Sequence, residues 1–184
     1  LFRSRSERYD YDARTVRPYF AYKQVQAGIL ELYGEDGFRP GDVFVCNHPY
    51  EGGLPHVSDM AFAAPMIVGG RLIGFSGSIA HKADIGGTNP GSTSASSTEI
   101  YQEGLRMAPT RIVRGGEPVD EFIDLIRRNV RFPVSAIGDL HAQFSVAEIG
   151  KRRLGALLDR YGRETVAAAA AEIFLQPERI DNEV

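Results

Sequence analysis

Residues 55–84, PHVSDMAFAAPMIVGGRLIGFSGSIAHKAD, constrain the fold of this chain more than any other stretch. Two apolar runs, 60–68 and 71–79, flank the pair Gly69 and Gly70. Two strand-like runs separated by two glycines read as a β-hairpin, because glycine accepts the positive φ that a two-residue turn demands. Pro65 has no N–H to give to a ladder, so its strand is expected at a sheet edge or with a bulge. The polar, chemistry-bearing residues stand at the ends: His56 and Asp59 before the first run, His81 and Asp84 after the second.

A hairpin turns distance along the chain into closeness in space. With Gly69 and Gly70 as the turn, Val68 faces Arg71, and counting outward sets Asp59 opposite Ala80 and Ser58 opposite His81. Side chains alternate along a strand, so a regular ladder puts Asp59 and His81 on opposite faces. One bulge, for which Pro65 is a reason, moves the register by a residue and sets them side by side. Two imidazoles and a carboxylate at one hairpin mouth make a three-point metal site with open positions, suited to zinc, manganese or iron(II). Asp84 is then a fourth ligand or an acceptor that orients an imidazole. The competing reading makes each histidine a capping or surface residue beside a turn, and Asp59 the start of its strand.

Around the hairpin the pattern is mostly helical. Residues 19–33 space Tyr19, Tyr22, Val25, Ile29 and Tyr33 at close to helical period and stop at Gly34 and Gly37. RPGD at 39–42 reads as a turn, VFVC at 43–46 as a short buried strand, and NHPYEGGLP at 47–55 as an irregular loop. TNPGSTSASSTE, residues 88–99, has the composition of a linker. Residues 118–130 place Val119, Phe122, Ile123, Ile126 and Val130 on one helical face, with acids leading and arginines trailing as the helix dipole prefers. A second helical pattern spans 139–161 and closes at Gly162, and the alanine-rich residues 164–175 are helical on propensity. The expected fold is α+β: a mixed sheet from the segment around 42–80, with a β-hairpin carrying the site and helices N-terminal and C-terminal to it. Residues 1–17 are expected to form a loosely held arm, and 18–184 one domain.

Other chemistries are thinner. Cys46 and His48 invite a thiolate–imidazole reading, but Cys46 ends an apolar strand, where cysteines are usually inert. His48, followed by Pro49, reads as a turn residue, and His141 as a partly exposed helical one. GGTNPGS at 86–92 offers backbone N–H groups to an anion, without the lysine of a phosphate loop. A net charge of −3 argues against nucleic acid or an acidic membrane surface as partner. No apolar run approaches the roughly 18 residues that span a bilayer. The single cysteine excludes an internal disulfide and suits a reducing, cytoplasmic setting. The first eight residues hold three arginines and lead into no apolar run, so no signal peptide is expected. A first residue other than methionine points to a piece of a longer chain.

Taken in order, GDVFVCNHPYEGGLPHVSDM, GRLIGFSGSIAHKADIGGTNPGS and STEIYQEGL resemble the hydantoinase B family, whose members include N-methylhydantoinase B subunits, the corresponding half of 5-oxoprolinase and the alpha subunit of acetone carboxylase. NVRFPVSAIGDLHAQFSVAEIGKRRLGALLDRYG is similar to the family's continuation, so the resemblance covers about residues 38–165. It implies an ATP-dependent system of two components forming a hetero-oligomer. A hydantoinase A-like partner consumes ATP to activate a carbonyl oxygen, and the B component hydrolyses the activated cyclic amide or, in the ketone carboxylase branch, joins carbon to carbon. The family's His-x-x-Asp motif and the histidine after the second strand hold a divalent metal, zinc or manganese; carried over, these are His56, Asp59 and His81. Asp84 and Asn47 are then orienting groups, and Glu103 an acid/base or substrate contact. Many members read His-Leu-Pro-Asp and His-His-Ala-Asp where this chain has His56-Val57-Ser58-Asp59 and His81-Lys82-Ala83-Asp84, which leaves Lys82 in place of a histidine. Hydantoinase B subunits are also much longer, so a fragment is expected, and a non-catalytic interaction module that keeps the fold is the alternative. A two-histidine, one-carboxylate iron oxygenase is a third reading.

Overall fold

A computed structural model describes residues 17–91, 94–170 and 172. The arm expected over residues 1–17 lies outside them except at Arg17, which opens the first helix. In chain order the elements are α1 (Arg17–Tyr33), β1 (Val43–Cys46), α2 (Pro49–Gly52), β2 (Asp59–Val68), β3 (Arg71–His81), β4 (Thr110–Arg114), β5 (Glu117–Pro118), α3 (Asp120–Asn129) and α4 (Pro133–Tyr161), with 3-10 turns at Glu35–Gly37 and Ile100–Glu103. Residues 163–170 are helical as well.

The strands form one sheet in the order β3-β2-β1-β4-β5. The α+β class holds, while every pair in this sheet is antiparallel rather than mixed. For β2–β3 and β4–β5 the short turns leave no alternative, because a parallel neighbour needs a long crossover. β2 lies inside the sheet, yet Pro65 is effectively at an edge. β1 pairs with β2 only across Ala61, Phe62 and Ala63, so Pro65 has a partner on one side alone, Phe75.

Alternation assigns each strand residue to one of two cores. Val43, Val45, Met60, Phe62 and Ala64 pack with Ile123 and Ile126 of α3 and with Leu140 and Ala147 of α4. Phe44, Cys46, Ala61 and Ala63 pack on the other face against Val25 and Ile29 of α1, joined by Leu72, Phe75 and Ile79 of β3. The sheet is thus covered by α1 on one side and by α3 and α4 on the other, as period-2 strands between amphipathic helices require.

Four local differences from the sequence reading have physical causes. The loop at 47–55 contains the one-turn helix α2, because Pro49 suits a first helical position and His48 Nδ1 accepts the Glu51 N–H at 3.2 Å. α4 starts at Pro133 rather than near 139, again with proline in the first turn. β4 and β5 form a second hairpin around Gly115 and Gly116, the same glycine-pair signal as Gly69 and Gly70. The linker-like residues carry structure too: Glu99 and Gln102 form a reciprocal capping box on the Ile100–Glu103 turn.

Gly52 is held to glycine by contact, since a Cβ there would stand 2.5 Å from Cys46 Sγ. Gly52→Ala is expected to lower stability by about 1–3 kcal/mol through overpacking, measurable by chemical denaturation. Cys46 is itself fully buried, and burial pushes its thiol from 9.0 up to about 11, with a hydrogen bond from the His48 backbone opposing and the Glu51 charge adding to the rise. The thiol is therefore protonated at neutral pH, which removes the thiolate–imidazole reading. Native protein should resist iodoacetamide at pH 8 and react once unfolded, as mass spectrometry would record. Since the folded value lies above the unfolded one, this group's contribution to stability is complete below pH 9 and is lost as pH rises toward 11.

Candidate metal centre

The hairpin carries the expected bulge, but not at Pro65. Ile67 pairs with Leu72 and Met66 with Gly74, so Ile73 is the extra residue, on β3. Beyond it the register sets Asp59 opposite His81. The two side chains share the α1 face, at the end of the row formed by Ala61, Ala63, Phe75 and Ile79.

His56 enters from the loop ahead of β2, which a backbone hydrogen bond and two side chains hold. The Asp59 N–H donates to the His56 carbonyl at 3.3 Å. Asn47, fully buried at the end of β1, donates through Nδ2 to the carbonyls of Val57 and Leu105, both at 2.8 Å, and accepts the Met107 N–H at 2.6 Å. Glu103 Oε2 accepts the Val57 N–H at 3.2 Å. Both polar groups of Val57 are thereby taken by side chains from other parts of the fold, and the neighbouring His56 is fixed from two sides.

At the hairpin mouth His56 Nε2 lies 3.1 Å from Asp59 Oδ1, and His81 Nδ1 lies 3.2 Å from the same oxygen. The two imidazoles face each other with centroids 4.9 Å apart and planes tilted by 34°. One ligand atom from each of the three residues falls within 4.8 Å of the others. Two donors that share an ion at ~2.0–2.2 Å stand roughly 3–3.5 Å apart, so the carboxylate-to-imidazole spacings suit a common cation. His56 and Asp59 are partly buried while His81 is half exposed, which leaves an open side.

The remaining sequence-selected residues lie around this cluster rather than in it. Asp84 has its side chain buried, and its carboxylate accepts from the Gly86 N–H at 3.1 Å, from the Arg131 N–H, and from Arg131 Nη1 at 2.7 Å. Arg131 also donates through Nη2 to the Gly87 carbonyl at 2.6 Å, so the glycine-rich turn after β3 is clamped to the α3–α4 connection. Sequence reasoning did not single out Arg131; a partner 47 residues from Asp84 leaves no local signal. Lys82 is buried, and burial pushes its ammonium pKa down while Asp139 of α4 acts to raise it. His48 caps α2, and His141 is exposed on α4 with its ring near Phe144.

Sheet, covering helices and cluster define a class: an α+β protein with two imidazoles and a carboxylate gathered at a hairpin mouth. The chain belongs to the hydantoinase B/oxoprolinase family, whose sequence model matches residues 19–183. It is 35% identical over 145 residues to the caprolactamase subunit beta of Pseudomonas jessenii, across 79% of this chain and 25% of that protein. To the 5-oxoprolinase of Dictyostelium discoideum it is 32% identical over 139 residues, across 76% of this chain and 11% of that protein. The crystal structure of ATP-dependent caprolactamase from Pseudomonas jessenii matches with a TM-score of 0.78 at 32% identity, over 86% of this chain and 27% of that one. The chain thus spans about a quarter of the caprolactamase subunit and less of the oxoprolinase. Among the described residues no helix is long and apolar enough to cross a membrane.

Proposed function

We propose that this chain is the metal-bearing part of an ATP-dependent amidohydrolase that opens a cyclic amide such as a hydantoin, 5-oxoproline or another lactam. An A-like partner subunit would spend ATP to activate the substrate's carbonyl oxygen. The observation that carries this reading is the meeting of His56, Asp59 and His81 within 4.8 Å in a chain of this family. These three residues would hold a zinc or manganese ion, for which their donor set is suited. When bound, such an ion supplies Lewis-acid polarisation of a carbonyl.

The protein's own groups do the rest. The half-exposed edge at His81 admits substrate, while Asn47 fixes the loop that carries His56. Glu103, whose Oε2 accepts the Val57 N–H, is assigned to hold or deliver a proton from beside that loop. Asp84 acts at one remove, by locking the turn after β3 to Arg131.

Metal analysis of the purified chain, before and after His81→Ala, tests the centre. A bound divalent ion lost in the variant supports it, and equal, negligible metal in both ends it. Activity is read with an A-like subunit, ATP and a panel of lactams. Glu103→Gln is expected to keep the metal and lower turnover by roughly 10²–10⁴-fold, the range of a general acid or base. Metal uptake and partner binding without any ATP-dependent turnover would instead favour the interaction module.

A further inference from the structure

β3 has one residue more than its partner. Between the pairs Ile67–Leu72 and Met66–Gly74, Ile73 has no opposite number, and Gly74 to His81 are displaced by one residue from the register that the Gly69–Gly70 turn would dictate. In the unshifted register Asp59 would oppose Ala80, and His81 would point to the α4 face. The apolar residues of β3 show why the surplus is taken up. Leu72, Phe75 and Ile79 all pack into the α1-side core. Positions 72 and 75 are an odd number apart, so a regular strand cannot turn both to one face. Gly74 stands at the irregularity with φ 157°, a conformation that strains any side chain and a β-branched one most.

We propose that Ile73 and Gly74 form the positioning element of the metal centre. A register correction made near the closed end of the hairpin aligns His81 with Asp59 at its open end. The proposal rests on the reading of the His56–Asp59–His81 cluster as a metal site, and neither residue needs to touch that cluster.

The test compares the full chain with Gly74→Val, with a deletion of Ile73, and with both changes together. Gly74→Val disfavours the bulge and releases β3 into the unshifted register. Deleting Ile73 removes the surplus residue, so a regular ladder again opposes Asp59 and His81. Cross-strand nuclear Overhauser effects read the register directly, and titration with zinc or manganese reads the centre. The parent and both deletion chains should show contacts between residues 59 and 81. Gly74→Val should lose them and bind metal roughly 10–100-fold more weakly, as when ligand orientation is disturbed. Three results overturn the proposal: contacts between 59 and 81 that persist in Gly74→Val with unchanged affinity, a double variant that fails to recover them, or an Ile73 deletion that loses them by itself. The last remains decisive if Gly74→Val does not fold. If the contacts respond as expected but even the parent binds no metal, the metal reading fails while the register assignment stands.

Discussion

Asp59→Ala is expected to abolish divalent-metal uptake while leaving the fold nearly intact. Asp59 Oδ1 lies within reach of both imidazoles, 3.1 Å from His56 Nε2 and 3.2 Å from His81 Nδ1. Its loss takes away the carboxylate that faces both rings, whose centroids stand 4.9 Å apart. Disturbing a group that merely orients a ligand already weakens metal binding by ~10–100-fold, so deletion of a shared ligand should cost more than about 100-fold. Stability should change by no more than ~1 kcal/mol, because Asp59 and His81 are partly exposed and solvent screens such pairs. Calorimetric titration with zinc and manganese checks the first part and chemical denaturation the second. A variant that keeps the parent's affinity would remove this cluster from any mechanism.

Asn47→Ala is expected to have the largest effect on stability. Its amide donates to the Val57 and Leu105 carbonyls and accepts the Met107 N–H, and the side chain is fully buried. Alanine would leave those three backbone groups without their partner, at about 1–3 kcal/mol each when buried. A loss on the order of 3–6 kcal/mol is a large part of the ~5–15 kcal/mol that holds a domain together. Because Val57 follows His56, metal affinity should fall as well, even though Asn47 is not a ligand. Asn47→Asp separates the two effects: the acceptor for Met107 survives and the donors to Val57 and Leu105 are lost. Denaturation midpoints and metal titrations of both variants check this, and an alanine variant within 1 kcal/mol of the parent would show that the network is not what holds the loop.

Much of the architecture was legible in the residues because it depends on local pattern. Period 3.6 in 19–33 and 118–130 marks α1 and α3, the run at 43–46 marks β1, and the glycine pair at 69–70 marks the hairpin. The same signal at Gly115 and Gly116 was not read as a hairpin, because β4 and β5 are too short for alternation to stand out. The bulge was foreseeable, but Pro65 was the wrong place for it. A missing N–H is tolerated where β1 has ended, and the surplus residue falls where Leu72 and Phe75 must share a face.

The candidate site divides along the same line. The residue types and the turn between them are enough to nominate His56, Asp59 and His81, because a hairpin's connectivity is written in consecutive residues. What surrounds the three is not. Asn47 reaches residue 107, Glu103 reaches Val57 and Asp84 reaches Arg131, each across 46 to 60 positions. Periodicity and turn chemistry act over a few residues, so the sequence by itself determined the principal helices, the hairpin and which residue types meet at its mouth. The tertiary structure alone decided how that mouth is held, because those hydrogen bonds exist only once separate elements have packed and buried the groups that make them.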